Sequence, residues 1–350
     1  MTAVEPRPPR LVLGAGGAGD PVTDTWRTLL ADDLRQYAEI LDAALEPQAE
    51  YLTATERGLY TRGKKLRPLM MVLSARLVHG PGELPRKVAR GAVSLEMLHV
   101  ATLIHDDVID DSAVRRGVPS VNAARGPGAA VILGDMQFVQ AVRGFVESID
   151  TDRDMELVKT VLDVAFRICC GELDELRVDP SWHEEVLRER YWETIDRKTA
   201  ALFALACESG ISLVDGRTAD MRRIGFYGRR VGRAFQVMDD LLDLVQDEAA
   251  SGKPRGMDLA RRRPSLPIVY AMAELGPAHP VSRVMRGDQP VPDDLAPLID
   301  DIRDTSGFVR AYADARRQVL DALEYLRPFP RNRYRSALER VALHVVDRSP

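Results

Sequence analysis

Helical periodicity runs through almost the whole chain and limits its fold more than any other feature of the sequence. From Thr23 onward, apolar residues recur at intervals of three and four, the spacing that places them on one face of an α-helix. Segments with this pattern cover residues 24–46, 66–79, 86–105, 129–149, 155–176, 184–213, 218–247, 265–275 and 307–347. Gly and Pro clusters such as Gly80-Pro81-Gly82 separate them, and no alternating strand of convincing length occurs. The sequence therefore predicts an all-α fold, a single large helical bundle.

The first residues differ from the rest in composition. Residues 1–22 are rich in Pro, Gly and Ala, which predicts a flexible leader before one helical domain at 23–350. Within the leader, Gly14, Gly16 and Gly19 match the GxGxxG pattern of dinucleotide-binding turns. That pattern requires a helix directly after it and then a second strand, whereas Asp20-Pro21 and a helical sequence follow here. We interpret the segment as a leader rather than a nucleotide site.

Composition excludes several classes of protein. The net charge of −5 argues against a nucleic-acid-binding protein, whose binding face would be basic. We find no apolar run long enough to suggest a transmembrane segment and no basic-then-apolar start typical of a signal peptide. The three cysteines, Cys169, Cys170 and Cys207, form no CxxC pair. They predict reduced thiols, mostly in the core, in a cytoplasmic protein.

Two copies of the pattern DDxxD are the strongest chemical signal. At about 100° per residue, the first, second and fifth positions of the pattern lie at about 0°, 100° and 40° around a helix. Each copy therefore places three carboxylates on one helix face. The residues are Asp106, Asp107 and Asp110 in the first copy and Asp239, Asp240 and Asp243 in the second.

Such carboxylate trios indicate a metal site. Three neighbouring negative charges raise one another's pKa values unless a cation lies among them. Aspartates without His or Cys suit a hard cation that bridges to phosphate, namely Mg²⁺. Apolar residues precede both trios, as in Thr102-Leu103-Ile104, which favours a dry cavity. The alternative, a solvated acidic helix face, is ordinary for one copy but much less so for two embedded in apolar helices.

Basic residues near these motifs predict a diphosphate substrate, because such a group needs cations beyond the metal. Lys64 and Arg67 are three residues apart and therefore adjacent on a helical turn. His99 lies seven residues before Asp106 and therefore faces the same side of its helix. The remaining candidates are Arg115, Arg116, Lys198 with its neighbour Thr199, and Lys253. Each alone is equally compatible with a solvated surface charge, but together they suffice for two diphosphates.

At this point the motifs resemble a known family. The sequence is similar to the trans-polyprenyl diphosphate synthases, or isoprenyl diphosphate synthases, from about residue 25 to 348. The matching stretches are GKKLRP at 63–68, EMLHVATLIHDDVIDDSAVRRGVPSVN at 96–122, LGD at 133–135, GEL at 171–173, KTA at 198–200, FQVMDDLLD at 235–243 and GKPRGMDL from 252. The resemblance implies the isoprenoid synthase fold around a central apolar cavity, a homodimer and up to three Mg²⁺ ions per subunit. It implies a prenyltransferase that joins isopentenyl diphosphate to an allylic diphosphate.

The resemblance also implies individual roles. Both aspartate trios would bind the metals. The catalytic residues would be Asp106, Asp107, Asp110, Lys198, Thr199, Gln236, Asp239 and Asp240. Isopentenyl diphosphate would be bound by Lys64, Arg67, His99 and Arg116. The allylic diphosphate would be bound by Arg115, Lys198, Lys253 and Arg263. Thr199 and Gln236 would face the allylic carbon.

The chain departs from the family pattern at several positions. Arg263 replaces a lysine, and its planar guanidinium is not equivalent to an ammonium point charge. Met136 and Gln137 follow LGD where an aromatic and an aliphatic residue are usual, and Glu175 replaces the glutamine of GExxQ. Either Gln137 or Glu175 would alter substrate choice if it faced the cavity.

Product length is predicted from the residues before the first trio. The chain-length floor would be formed by Leu98, Ala101 and Thr102. Two of these side chains are small, and the region most resembles bacterial long-chain enzymes. A long polyprenyl diphosphate is therefore expected, with a geranylgeranyl diphosphate synthase as the alternative. A class I terpene cyclase of the same fold and a non-catalytic partner subunit are further alternatives.

Overall fold

The computed structural model describes residues 20–115, 117–245 and 255–347, and α-helices dominate these residues. The predicted all-α class is confirmed. The chain divides into two compact units, which we describe separately. The first comprises Met1–Lys159 with Ser209–Thr218, and the second comprises Thr160–Glu208 with Ala219–Pro350.

The first unit contains the helices up to α7 and a short hairpin. It also has a π-helical turn at Thr25–Leu29 and a 3₁₀ turn at Glu46–Gln48. The helices and strands are α1 Pro21–Asp24, α2 Ala31–Leu45, α3 Ala54–Thr61, α4 Leu66–His79, α5 Arg86–Ile109, β1 Val114–Arg115, β2 Val118–Pro119, α6 Val121–Arg125 and α7 Pro127–Val146.

Two helices, α8 Asp152–Glu175 and α10 Ala201–Ser212, have residues in both units. The second unit otherwise holds α9 Glu184–Ile195, a π-helical turn Asp196–Ala200 and α11 Thr218–Val245 from its second residue on. The later helices are α12 Met257–Ala260, α13 Leu266–Leu275, α14 Pro280–Arg286, α15 Ala296–Asp304, α16 Ser306–Leu326 and α17 Arg333–Val346.

The first unit is built around α5, which packs against α2, α4 and α7. Most of α5 is apolar and buried all round, as expected for a helix with neighbours on several sides. Gly91 lets α5 also approach Leu213, the residue after α10, since a Cβ there would lie 2.8 Å from the Leu213 side chain. Gly134 of α7 does the same for His105, whose ring would lie 2.2 Å from an added Cβ. The apolar stem of α5 thereby fixes where its acidic end emerges.

In the second unit, α11 has an equivalent role. Its buried residues run from Asp220 to Leu244. Gly228 lets it approach α10 closely, because an added Cβ would lie 2.5 Å from the backbone oxygen of Phe203. A second apolar cluster joins Leu244 to α12 through α15. The acidic residues of α11 therefore sit at the end of a helix held on several sides.

Several boundaries differ from the sequence prediction. Residues 20–22 were assigned to the leader, but Asp20 is buried and caps α1, accepting from the Thr23 backbone at 3.0 Å. The predicted helix 307–347 is two helices, because Pro328 and Pro330 interrupt it. The β1–β2 hairpin was not predicted, since strands of two residues leave no alternation to detect. Cys169 is exposed rather than in the core.

One helix bears on the transmembrane prediction. By length and composition alone, α7 is apolar enough to cross a membrane, and a third of it is buried. The core helix of a soluble protein passes the same test, so this is weak evidence for a span.

Candidate active site

The first aspartate trio lies at the C-terminal end of α5, and its members differ in exposure. Asp106 and Asp110 are half-buried, whereas Asp107 is buried. The Asp107 carboxylate accepts hydrogen bonds from Arg115, with Nε at 2.9 Å and the terminal Nη2 also in contact. Because the second position lies about 100° from the first around the helix, it points to the protein side while the first and fifth stay together.

The β1–β2 hairpin positions Arg115. Antiparallel pairing sets Val114 opposite Pro119 and Arg115 opposite Val118. Gly117 has a φ of +75°, a conformation that favours glycine and explains this residue in the turn. The Ser120 backbone amide donates to the Ala113 carbonyl at 2.9 Å and closes the loop. The arginine after the trio therefore folds back onto the trio's own buried carboxylate.

The second trio lies near the C-terminal end of α11 and repeats this order of burial. Asp239 is exposed, Asp240 is buried and Asp243 is half-buried. The partners of Asp240 are neutral: Tyr191 Oη donates to it at 2.5 Å and Gln236 Nε2 at 2.9 Å. The carboxylate of Asp243 accepts from the backbone amides of Met257 and Asp258, both at 3.1 Å. Asp243 thus anchors the start of α12.

Burial dominates the electrostatics around Asp240. It raises the pKa of Asp240 well above its ordinary value, and the neighbouring Asp258 adds to the effect. Burial, followed by the charge of Asp243, raises the pKa of Asp258 to about 7. The pKa of Tyr191 is also raised, first by burial and then by Asp240. This part of the second unit favours either protonated acids or a bound cation.

Thr199 and Gln236 were predicted to act together, and the structure brings them into contact. Thr199 Oγ1 donates to Gln236 Oε1 at 2.8 Å. Gln236 in turn donates to Asp240, so that a chain of hydrogen bonds links the π-helical turn 196–200 to the second trio.

Three of the residues predicted to bind isopentenyl diphosphate lie in the described part of the first unit. Arg67 Nη1 and His99 Nε2 are 3.1 Å apart, and their role in binding isopentenyl diphosphate stays a prediction. Lys64 Nζ pairs with Asp20 at 2.7 Å. Burial opposes ionisation of Asp20, but hydrogen bonds from Lys64 and Thr23 outweigh it and lower its pKa.

Lys65 holds this turn in place although it was not predicted to bind anything. It has a φ of +54° and precedes α4. Its Nζ forms a buried ion pair with Glu96 of α5 at 2.8 Å and also donates to the Arg62 carbonyl at 2.7 Å. The pair fixes the turn that carries Lys64 and Arg67 against the helix that carries His99.

Two residues predicted to bind the allylic diphosphate meet carboxylates of α8 in the second unit. Lys198 Nζ lies 2.8 Å from Glu172 and 3.0 Å from Glu175. Arg263 Nη2 lies 3.4 Å from the same Glu175 oxygen. Arg116 and Lys253, also predicted site residues, lie outside the described residues.

The remaining predicted residues are placed as follows. Leu98 and Ala101 are buried in the first unit, and the half-buried Thr102 donates to the His99 carbonyl at 2.8 Å. Their role in product length stays a prediction. Gln137 belongs to a buried network, accepting from Tyr60 Oη and donating to Gln48 at 2.8 Å. Its departure from the family pattern is thus explained by packing within the first unit.

Sequence reasoning missed several residues of the site. Tyr191 carried no signal, because its distance from the second trio along the chain hides the contact. Asp20 was missed for the same reason. His105 and Asp135 were quoted within motifs but not paired, and His105 Nε2 lies 3.4 Å from the Asp135 carboxylate. Gly134, next to Asp135, could have indicated this contact, because its lack of a side chain leaves room for the His105 ring.

Comparison with known proteins gives consistent matches. The family model described as polyprenyl synthetase matches residues 48–302. "Heptaprenyl diphosphate synthase component 2" of Geobacillus stearothermophilus is 33% identical over 91% of this chain and 96% of that protein. The "Short chain isoprenyl diphosphate synthase" of Methanothermobacter thermautotrophicus is 32% identical over 91% of this chain and 98% of its own length.

Solved structures agree with the sequence matches. A polyprenyl synthase from Caulobacter crescentus, crystallised with calcium and isoprenyl diphosphate, superposes with a TM-score of 0.81 at 29% identity. The match covers 96% of this chain and 99% of that one. The predicted isoprenoid synthase fold is therefore confirmed. With the family model matching well over half of its length, the chain belongs to the polyprenyl synthetase family.

Proposed function

We propose that this protein is a trans-prenyltransferase that condenses isopentenyl diphosphate with an allylic diphosphate to give a polyprenyl diphosphate. The predicted transferase class agrees with the family and its relatives. The observation that carries the proposal is the matched build of the two trios. In each, the middle aspartate is buried and hydrogen-bonded, while the other two are less buried.

The donor set fits a magnesium ion held jointly with substrate. Mg²⁺ prefers oxygen ligands and usually takes one or two carboxylates plus phosphate oxygens and water. Among the described residues, no group of three or more His, Cys, Asp or Glu forms a metal site complete in protein ligands. We assign direct metal contact to Asp106, Asp110 and Asp239. Asp243 remains a predicted metal ligand. Asp107 and Asp240, the buried members, have a positioning role. A calcium ion accompanies isoprenyl diphosphate in the Caulobacter relative.

Bound Mg²⁺ would supply charge stabilisation for the departing diphosphate. The protein's own cations, Lys198 and Arg263 for the allylic substrate, would stabilise the same developing charge. Thr199 and Gln236 would face the reacting carbon, where their oxygen dipoles would stabilise its positive charge. Apolar flanks such as Leu103-Ile104 limit water near the allylic cation. The new bond joins this carbon to the double bond of isopentenyl diphosphate, and the proton lost passes to the released diphosphate.

The pair formed by Arg67 and His99 favours condensation over cyclisation. A class I terpene cyclase acts on one diphosphate and has no need of a second anion site. Arg67 and His99 suit the diphosphate of isopentenyl diphosphate, and Lys64, which precedes α4 and pairs with Asp20, is kept as a further candidate cation.

We propose a long-chain product. The small side chains of Ala101 and Thr102 and the heptaprenyl name of one relative support this. A second relative is named for short chains, so geranylgeranyl diphosphate is the alternative product.

We propose that the protein forms a homodimer, because each unit exposes a row of large apolar side chains. On α7 of the first unit, Ile132 and Val139 are 68% and 63% exposed. On the second-unit part of α8, Leu162, Phe166 and Leu173 are exposed, Phe166 by 69%. Apolar rows of this kind mark protein–protein contacts. A cytoplasmic location stays a prediction.

A turnover experiment tests the proposal. Purified protein is incubated with Mg²⁺, labelled isopentenyl diphosphate and, in turn, dimethylallyl, geranyl, farnesyl and geranylgeranyl diphosphate. We expect both substrates to be consumed together and the products, sized by chromatography, to grow beyond the starter. Diphosphate release without consumption of isopentenyl diphosphate would point to a cyclase. Inactivity of the protein alone would support a partner-dependent subunit, as the name "component 2" of one relative suggests.

A further inference from the structure

Glu175, at the end of α8, contacts two cations at once. Its Oε2 lies 3.0 Å from Lys198 Nζ and 3.4 Å from Arg263 Nη2. Both cations are assigned above to the allylic diphosphate. By the resemblance described above, Glu175 stands at the position of the glutamine in GExxQ, which carries no charge. A carboxylate here offers the two cations the same kind of partner as a diphosphate oxygen.

Packing of α8 keeps this carboxylate in place. At Gly171, an added Cβ would lie 2.9 Å from the Lys198 backbone nitrogen, so α8 passes directly against residues 197 and 198. One turn further on, Glu175 reaches over Lys198. The side chains of Lys198, Glu175 and Arg263 are 19%, 21% and 28% exposed. Charges this far removed from water are screened less than surface pairs.

Carboxylates lie beside both cations before any substrate binds. Glu172 and Glu175 contact Lys198, Glu175 contacts Arg263, and Asp258 is close enough to Arg263 and Glu175 to interact with their charges. A diphosphate that arrives must therefore share the cations with Glu175 or displace it, and its own negative charge is repelled by the carboxylate. A glutamine at this position would keep the hydrogen bonds possible while removing one negative charge from beside both cations.

We propose that Glu175 is a specificity-determining residue that weakens the hold on the allylic diphosphate and thereby limits how many condensations occur before the product leaves. The proposal rests on the proposed function. In each cycle a bond forms between C1 of the allylic substrate and C4 of isopentenyl diphosphate. The allylic C–O bond breaks, diphosphate leaves with the bonding pair, and the proton lost goes to that diphosphate.

The lengthened chain therefore carries the diphosphate that came from isopentenyl diphosphate. It reacts again only after this group has moved to the allylic site. A weaker allylic site favours dissociation over the next cycle, so Glu175 shifts the product distribution towards shorter chains.

The test compares Glu175→Gln with the wild-type enzyme and with Asp174→Asn. Asp174 is a matched control, because it precedes Glu175 on the same helix and pairs with Arg197 instead of Lys198. For Glu175→Gln we expect KM for farnesyl diphosphate to fall about three- to ten-fold, which corresponds to roughly 0.7–1.4 kcal/mol. KM for isopentenyl diphosphate should stay the same, and the mean product length should increase. Asp174→Asn should behave as wild type in all three measurements.

Each other result overturns the inference. A raised KM for the allylic substrate would mean that Glu175 places Lys198 for binding instead of competing for it. An unchanged KM with altered thermal stability would mean that the contacts serve folding alone. Equal changes in both variants would mean a general charge effect. Wild-type elongation in the same assays separates these outcomes from failure of the proposed function, in which wild-type protein would not condense the two substrates.

Discussion

The two aspartate trios have the same sequence pattern, but the negative charge of the buried aspartate meets different partners in each. In the first unit, Asp107 meets the guanidinium of Arg115, a full positive charge. In the second, Asp240 meets the hydroxyl of Tyr191 and the amide of Gln236, which carry none. Asp258 lies near enough to Asp240 to raise its pKa further.

A repeated motif therefore does not imply the same partners for its buried member. In a buried ion pair each charge compensates the other, and loss of either partner leaves an uncompensated buried charge. A buried carboxylate with neutral partners is stabilised by protonation or by a nearby cation. The second trio therefore depends more on bound metal than the first.

The largest expected effect concerns the less buried members of both trios. Asp106→Asn and Asp239→Asn should each lower kcat by at least about 100-fold, since each removes one charge that would hold metal and substrate. Steady-state turnover with labelled isopentenyl diphosphate measures this. Asp32→Asn and Asp300→Asn are controls, with side chains 83% and 68% exposed in the first and second unit. Near-normal rates in both trio variants would contradict the metal assignment.

Substitution of the buried aspartate of each trio tests the difference between the trios, through its effect on the free energy of unfolding. Asp107→Asn leaves the Arg115 guanidinium without its carboxylate and should destabilise the metal-free protein by about 3 kcal/mol. Asp240→Asn replaces an acid whose partners are neutral and should cost only about 1 kcal/mol. Urea unfolding without metal gives both values. Equal losses would mean that the two carboxylates share one charge state after all.

A smaller effect, on the pH dependence of stability, is expected for Glu208, a buried carboxyl group outside both trios. Burial raises its pKa from 4.5 to about 7, although Arg229 and Arg167 oppose the shift. Because the folded pKa lies above the unfolded one, the group favours folding below about pH 4.5, and this contribution is lost as the pH rises to about 7. The pKa shift corresponds to a change of at most about 3 kcal/mol in the free energy of unfolding. Because the Glu208 side chain keeps some contact with water, we expect roughly 1–2 kcal/mol.

Glu208→Gln should therefore remove this loss. Relative to wild type, the variant should gain stability between pH 5 and pH 8, as measured by urea unfolding. Parallel pH profiles for the two proteins would show that the Glu208 carboxyl is ionised throughout this range. Such a result would also weaken the interpretation that burial is the main cause of the raised pKa values of acids in the second unit.

Much of the fold could be predicted because it depends on local patterns. The spacing of apolar residues predicted α4, α5 and α11 to within a few residues. The short helix α14 and the hairpin that carries Arg115 were not predicted, since elements of that length have too few residues to show a period. The motif DDxxD predicted that its three carboxylates share one helix face. It did not show that the second member turns inward, because burial depends on which side of the helix meets the rest of the protein.

The sequence alone predicted a helical protein with two acidic motifs, since helix period and motif spacing are properties of neighbouring residues. Its link to the prenyltransferases came from the resemblance of those motifs to a known family. Only the tertiary structure decided that Tyr191 supports Asp240, that Lys65 pairs with Glu96, and that Glu175 lies against Lys198. These contacts join residues tens of positions apart along the chain. Which of them meet is settled by packing of whole helices, and packing also decides which charges lose their water.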